Sequence, residues 1–172
     1  MRMIIARGAA AAFAVSLAAA PAFAQDQTIV ALAQGNENLS TLVTAVQEAD
    51  LVDTLSGAGP FTVFAPTNDA FEALPDGALD GLLADKEKLS AVLTYHVVSG
   101  EVMAADLMQQ IEAGGGEAEL TTVQGETLTA SAEGGEVTLT DQQGNTATVT
   151  QADIDASNGV VHVIDGVVMP GM

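Results

Sequence analysis

The chain of 172 residues contains no cysteine, so no disulfide can staple it and no lipid can be attached through a cleavage-site thiol. It has no Trp, one Tyr and five Phe, which argues against a sugar-stacking site or a large pigment pocket. Four Lys and Arg stand against 23 Asp and Glu, for a formal net charge of −19. Nucleic acid and anionic membrane surfaces are bound by clustered cations, and this composition excludes both as partners. After the first residues, no apolar run reaches the roughly 20 residues that span a bilayer.

What is present begins with a leader. Arg2 and Arg7 flank Ile4, Ile5, Ala9 to Ala12, Phe13, Val15 and Leu17, and Ala22-Phe23-Ala24 supplies an A-x-A cleavage site after Pro21. The pattern predicts a signal peptide over 1–24 and a single domain over 25–172, secreted or periplasmic, with no membrane insertion after cleavage. The mature part keeps only Lys86 and Lys88 as basic side chains. Its Val, Leu and Ile recur periodically, which predicts a folded domain with an acidic shell rather than a disordered chain.

Helical spacing dominates the first half. Asn38 is placed to cap a helix whose Leu39, Leu42, Val43 and Val46 share one face, ending before Gly57 to Pro60. Phe61 to Pro66 reads as a buried strand, with Phe61 and Val63 on one face and Thr62 and Phe64 on the other. Thr67 then caps a helix with Asp69 in its first turn. Pro75-Asp76 opens another helix, Asp85 caps the next, and a third covers Ala104 to Glu112 before Gly114-Gly115-Gly116. Beyond Glu117 the period changes to two, with turn residues at Gln124-Gly125, Gly134-Gly135 and Gly144-Asn145, as in an antiparallel meander. Residues 160–169 read as a last strand, apolar on both faces except at His162 and Asp165. Helices followed by strands predict an α+β domain.

Three segments in this order, "FTVFAPTNDAF" (61–71), "LTYHVVSG" (93–100) and "NGVVHVIDGVVMP" (158–170), carry a family resemblance, with a "TVQG" hairpin between the second and third. Over nearly all of 27–170 the chain resembles a single fasciclin (FAS1) domain. The resemblance implies a FAS1-like β-sandwich or wedge of mainly antiparallel strands packed against several helices. It also implies life outside the cytoplasm and a role in adhesion, which in animal members runs through integrins. Tyr95 and His96 match the Tyr-His motif implicated in that adhesion, with Leu93, Val97 and Val98 as its apolar flanks.

The chemistry-bearing residues admit few enzymatic readings. The corner at 61–71 has no Gly, Lys or Arg to cradle a phosphate and no G-x-S-x-G elbow, so Thr67, Asn68 and Asp69 read as structural. Two readings of Tyr95-His96 stand: a partner-binding pair, or a ring whose nitrogens satisfy neighbouring backbone or the 67–69 corner. His162 shares a strand face with Val160 and Ile164 and reads as half-buried; pairing it with His96 on a metal lacks any ligand spacing. "DIDASNG" (153–159) fails as a calcium loop, because its sixth position is Asn158 and its twelfth Ile164. Asn158 reads instead as a local turn former before Gly159. Asp165 joins these as a structural residue. No catalytic residue, metal or cofactor is assigned. The leading expectation is a monomeric interaction or adhesion module that binds an extracellular or envelope protein or polysaccharide. The alternative is a carrier of a small apolar pigment or lipid.

Overall fold

A computed structural model describes residues 27–57 and 59–171; the expected signal peptide over 1–24 lies outside the described residues. Thr28 accepts the Ala31 N–H at 3.2 Å and so starts helix α1 (Ile29–Gln34). A 3-10 turn (Glu37–Leu39) leads into α2 (Ser40–Glu48). The expected cap at Asn38 is corrected by two residues: Asn36 caps the 3-10 turn by accepting the Asn38 N–H at 3.0 Å. The apolar face holds, with Leu39, Leu42 and Val46 buried. At Asp50 the backbone enters the left-handed region (φ 56), a conformation that short polar side chains tolerate, and α3 (Val52–Leu55) follows as a separate helix.

Strand β1 (Phe61–Pro66), α4 (Asn68–Glu72), α5 (Ala78–Ala84) and α6 (Lys86–Tyr95) come next. α5 starts later than Pro75-Asp76 suggested, because Pro75 O accepts the Ala78 N–H at 2.9 Å in a turn and Gly77 is the N-cap. Then follow β2 (Val97–Ser99), α7 (Ala104–Ala113), β3 (Glu117–Thr121), β4 (Thr127–Glu133), β5 (Glu136–Thr140), β6 (Thr146–Ala156) and β7 (Gly159–Ile164).

The seven strands form one sheet in the order β2-β1-β7-β6-β5-β4-β3. Every neighbouring pair is antiparallel except β1 and β7, which run parallel from Phe61 opposite Gly159 to Pro66 opposite Ile164. The two ends of the sheet meet: Val98 bridges Thr122, and Val97 O accepts the Val123 N–H at 2.7 Å. The result is the expected α+β fold, with a mainly antiparallel sheet curled almost into a barrel. The last strand is shorter than expected. It stops at Ile164, where Asp165-Gly166 turns the chain against Thr146, so residues 167–171 run on outside the sheet.

Alternation along β1 separates two cores. Val63 and Ala65 join Val161 and Val163 of β7 under Leu42, Val46, Leu89, Val92 and Leu93 of the helices. Phe64, on the other face, joins Ile164, Leu128, Leu139, Leu107, Ile111 and Val168. Burying each of the Val, Leu, Ile and Phe side chains stabilises the fold by about 1.5–3 kcal/mol before chain entropy opposes it. Contact between β1 and β7 needs a residue without a side chain at Gly159, since a Cβ there would sit 1.8 Å from Phe61 O.

Candidate functional site

The Tyr95-His96 pair sits where α6 meets the sheet. Asp85 starts that helix by accepting the Lys88 N–H at 3.4 Å, and the spacing of Leu89, Val92 and Leu93 turns one face into the first core. At the helix end the His96 backbone N–H still bonds to Val92 O and Leu93 O, while His96 O accepts the Phe64 N–H of β1 at 2.8 Å. The ring continues the tie. Its Nδ1 donates to Val92 O at 2.7 Å, which leaves Nε2 as an acceptor for the Val168 N–H at 3.2 Å. His96 is 1% exposed. Burial pulls its pKa down from 6.5 to about 4, against the Val92 hydrogen bond and the Asp141 charge, which favour the charged ring.

Tyr95 points into the second core and is fully buried. Its hydroxyl donates to Thr127 O at 2.9 Å. Burial first, and the Asp141 carboxylate second, push the phenol up to about 12, partly opposed by a hydrogen bond with the Gln142 backbone. Leu93 and Val97 belong to the first core and Val98 to the second. These five residues therefore clasp the two cores together. None offers a side-chain surface to a partner, because each is at most 3% exposed.

The 67–69 corner is a second junction. Thr67 accepts the Ala70 N–H at 3.3 Å and so caps α4, while its own N–H bonds to Ile164 O of β7. Asn68 caps a different helix. α2 has no cap of its own at Leu39, and Asn68 Oδ1 accepts the Thr41 N–H at 3.0 Å while Nδ2 donates to Glu37 O at 2.9 Å. Asp69 is exposed in the first turn of α4. The suggested link from His96 to this corner is corrected: both ring nitrogens are taken, by Val92 and Val168.

His162 is fully buried rather than half-buried, at 1% exposure, and its ring stacks on Phe64 with centroids 5.5 Å apart. Its Nε2 donates to Val102 O at 2.8 Å and its Nδ1 accepts the Asp153 N–H at 3.2 Å, so its tautomer is the reverse of that of His96. Asp153, at a left-handed bulge position (φ 56) in β6, in turn caps α7 by accepting the Ala104 N–H at 2.8 Å. Among the described residues no group of three or more His, Asp and Glu is arranged to hold a metal ion.

A fasciclin domain model matches residues 37–170. The chain belongs to the fasciclin (FAS1) domain family. It is 53% identical over 147 residues to protein sll1483 of Synechocystis sp., an alignment covering 84% of this chain and 74% of that one. It is 35% identical over 166 residues to the immunogenic protein MPB70 of Mycobacterium bovis, covering 94% and 78%. Its fold is similar to that of a FAS1 domain pair from the insect cell adhesion molecule fasciclin I, with a TM-score of 0.69 at 19% identity. That match covers 86% of this chain and 51% of the pair, so the chain spans about half of it.

Two further junctions of this fasciclin domain escape local sequence reading. Asn158 was expected to bond within its own turn, yet it reaches across the chain: Nδ2 donates to Leu55 O and to Gly57 O at 3.1 Å, and Oδ1 accepts the Ile29 N–H at 3.1 Å. It thereby fastens α1 and α3 to the start of β7. Asp141, which no sequence motif singled out, is a buried carboxylate that accepts four N–H groups. Gln143 N lies at 2.9 Å, Asn145 N at 2.8 Å, Asn145 Nδ2 at 2.9 Å and Met169 N at 2.8 Å. The first three are the signature of an Asp opening a turn in "DQQGN", legible in principle; the bond to Met169 is not. Asp165 is exposed and brackets β6, accepting the Thr148 N–H at 2.8 Å while donating its own N–H to Thr148 O.

The apolar space under α1, lined by Ile29, Val30, Leu42, Val63, Leu93 and His96, holds only about 20 Å³. A wider open cleft of about 610 Å³ separates Leu74 and Pro75, after α4, from Gln143, Asn145, Asp165 and Met169. No helix among the described residues is long and apolar enough to cross a membrane.

Proposed function

We propose that this fasciclin domain, spanning 25–172 behind a cleaved signal peptide over 1–24, is a secreted or periplasmic interaction module. It binds a protein or polysaccharide partner of the cell envelope and catalyses no reaction. One observation carries the reading: the side chains best suited to chemistry, Tyr95, His96 and His162, are all buried and all bonded to backbone groups. A nucleophile or proton donor must reach its substrate, and these do not. Recognition then falls to the exposed turns and the open cleft, on a surface whose only cations, Lys86 and Lys88, pair with Asp50 and Asp85. The likeness to an insect cell adhesion molecule supports the same class of role. The carrier alternative has less support, since the enclosed apolar space under α1 is about the size of one water molecule and the wider cleft is open and part polar.

The test uses the purified mature protein from its own host. Immobilised protein should show saturable binding to a purified envelope protein or polysaccharide fraction, and native mass spectrometry should show the bare polypeptide mass. A chromophore or lipid near one per chain would replace this reading with the carrier.

A further inference from the structure

Residues 167–171 follow β7 without joining the sheet or a helix, yet Val167 and Val168 are buried. Four side chains hold this segment. Val168 N–H bonds to His96 Nε2 at 3.2 Å, Met169 N–H to Asp141 Oδ2 at 2.8 Å and Gly171 N–H to Glu126 Oε2 at 2.8 Å, while Pro170 O accepts from Gln143 Nε2 at 2.9 Å. Three of the four anchors are therefore acceptors that a proton can disable. The His96 anchor is the most exacting. Its Nδ1–H is committed to Val92 O, so Nε2 has one lone pair and Val168 N–H uses it. A proton there would set two N–H donors against each other in a site that water does not reach.

The surroundings of the ring offer little to offset that conflict. Asp141, in the β5–β6 turn, is the one carboxylate whose charge acts on it. Tyr95, beside it on α6, stays neutral far above neutral pH, and Lys86 and Lys88 at the start of that helix are exposed and paired with acids. α2 and α3 contribute Glu48 and Asp53, and α4 contributes Asp69 and Glu72, all exposed; α1, β1 and the segment itself carry no charged side chain. His162 of β7 is bonded to Val102 and Asp153.

We propose that residues 167–171 are an acid-released strap: protonation of His96 at Nε2 removes the Val168 anchor, and the segment lifts from both cores, Val168 from the second and Val167 and Met169 from the first, while the β1–β7 pair stays formed. Val167 and Met169 also wall the open cleft, so release reshapes it.

The window follows from the ring. Closed, His96 titrates near 4; the ordinary imidazole value of 6.5 is the upper limit that release toward water can restore. As the pH falls between those values the open-to-closed ratio should rise by up to roughly tenfold per pH unit, to a ceiling of about 300-fold. NMR on the unmodified chain reads all the parts together: the His96 ring nitrogens, the Val168 and Met169 amides, and the Val63 and Val161 amides as reporters of the paired strands. Val168 and Met169 should lose protection from exchange across the pH range in which His96 takes up its proton, with Val63 and Val161 still protected. Protection of Val168 that persists after His96 is protonated would overturn the proposal. So would loss of all four amides at one common midpoint, since that is global unfolding.

Discussion

Replacing His96 with Ala tests the clasp at two pH values. At pH 7 the substitution orphans the Val168 N–H in a fully buried position, which costs about 1–3 kcal/mol. Val92 O is not orphaned, because the residue 96 backbone N–H still reaches it at 3.2 Å. Loss of the ring next to an existing void adds a cavity, so the whole destabilisation comes to about 2–5 kcal/mol. Acid then changes the comparison. The folded wild type holds His96 neutral down to about 4, whereas the unfolded chain protonates it at 6.5, so between those values the unfolded state binds more protons. Wild-type stability from this group is therefore complete above 6.5 and falls by about 3 kcal/mol as the pH drops to 4. The Ala variant lacks this slope. The difference between the two proteins should shrink from about 2–5 kcal/mol at pH 7 to about 2 kcal/mol or less at pH 4. Urea unfolding at pH 7, 5.5 and 4 can be followed by the fluorescence of Tyr95, the single Tyr of a chain without Trp. A gap that stays constant with pH, or is under about 0.5 kcal/mol at pH 7, would refute the assigned hydrogen bonds.

Asn68→Ala should cost about 0.5–2 kcal/mol in the same assay, because α2 loses the only side chain that caps it; an effect no larger than that of Asp69→Ala would mean the cap contributes nothing. Sodium chloride should raise the melting temperature of a chain comprising residues 25–172, because two Lys leave most of its 23 carboxylates to repel one another and screening shortens their reach from about 30 Å at 0.01 M to about 3 Å at 1 M. A flat or falling trend in calorimetry would show that these charges are too dispersed to matter.

Features fixed by neighbouring residues were legible in the sequence. Thr67 and Asp85 cap helices that begin one residue later, and the hairpin turns of the meander lie where Gly recurs. Those determined by distant residues were not. Asn68 caps a helix 27 residues earlier, and His96 finds its acceptor role 72 residues later, so neither role leaves a mark in local pattern. Asn158 looked like an ordinary turn residue for the same reason. Burial of His162 was underestimated because alternation identifies a face but not what covers it; α7, fastened by Asp153, lies beyond any periodicity in β7. The resemblance drew attention to Tyr95-His96, and only the packing shows that both rings face inward.

The position of β7 has a consequence for how the chain comes together in time. In the sheet it lies between β1 and β6, although it is the last of the seven described strands in chain order. Before it arrives there are two pieces, the antiparallel β2–β1 pair with its helices and the β3–β6 meander, joined at the far edge by the Val98–Thr122 bridge, the Val97–Val123 hydrogen bond and the Tyr95–Thr127 tie. Docking β7 welds them, and Asn158 closes a loop of 103 residues to Leu55 at the same moment. Loops that long are costly to close and reward the chain only once closed, so folding should be late and cooperative rather than stepwise. A chain made N-terminus first would leave the two pieces unjoined until β7 was available.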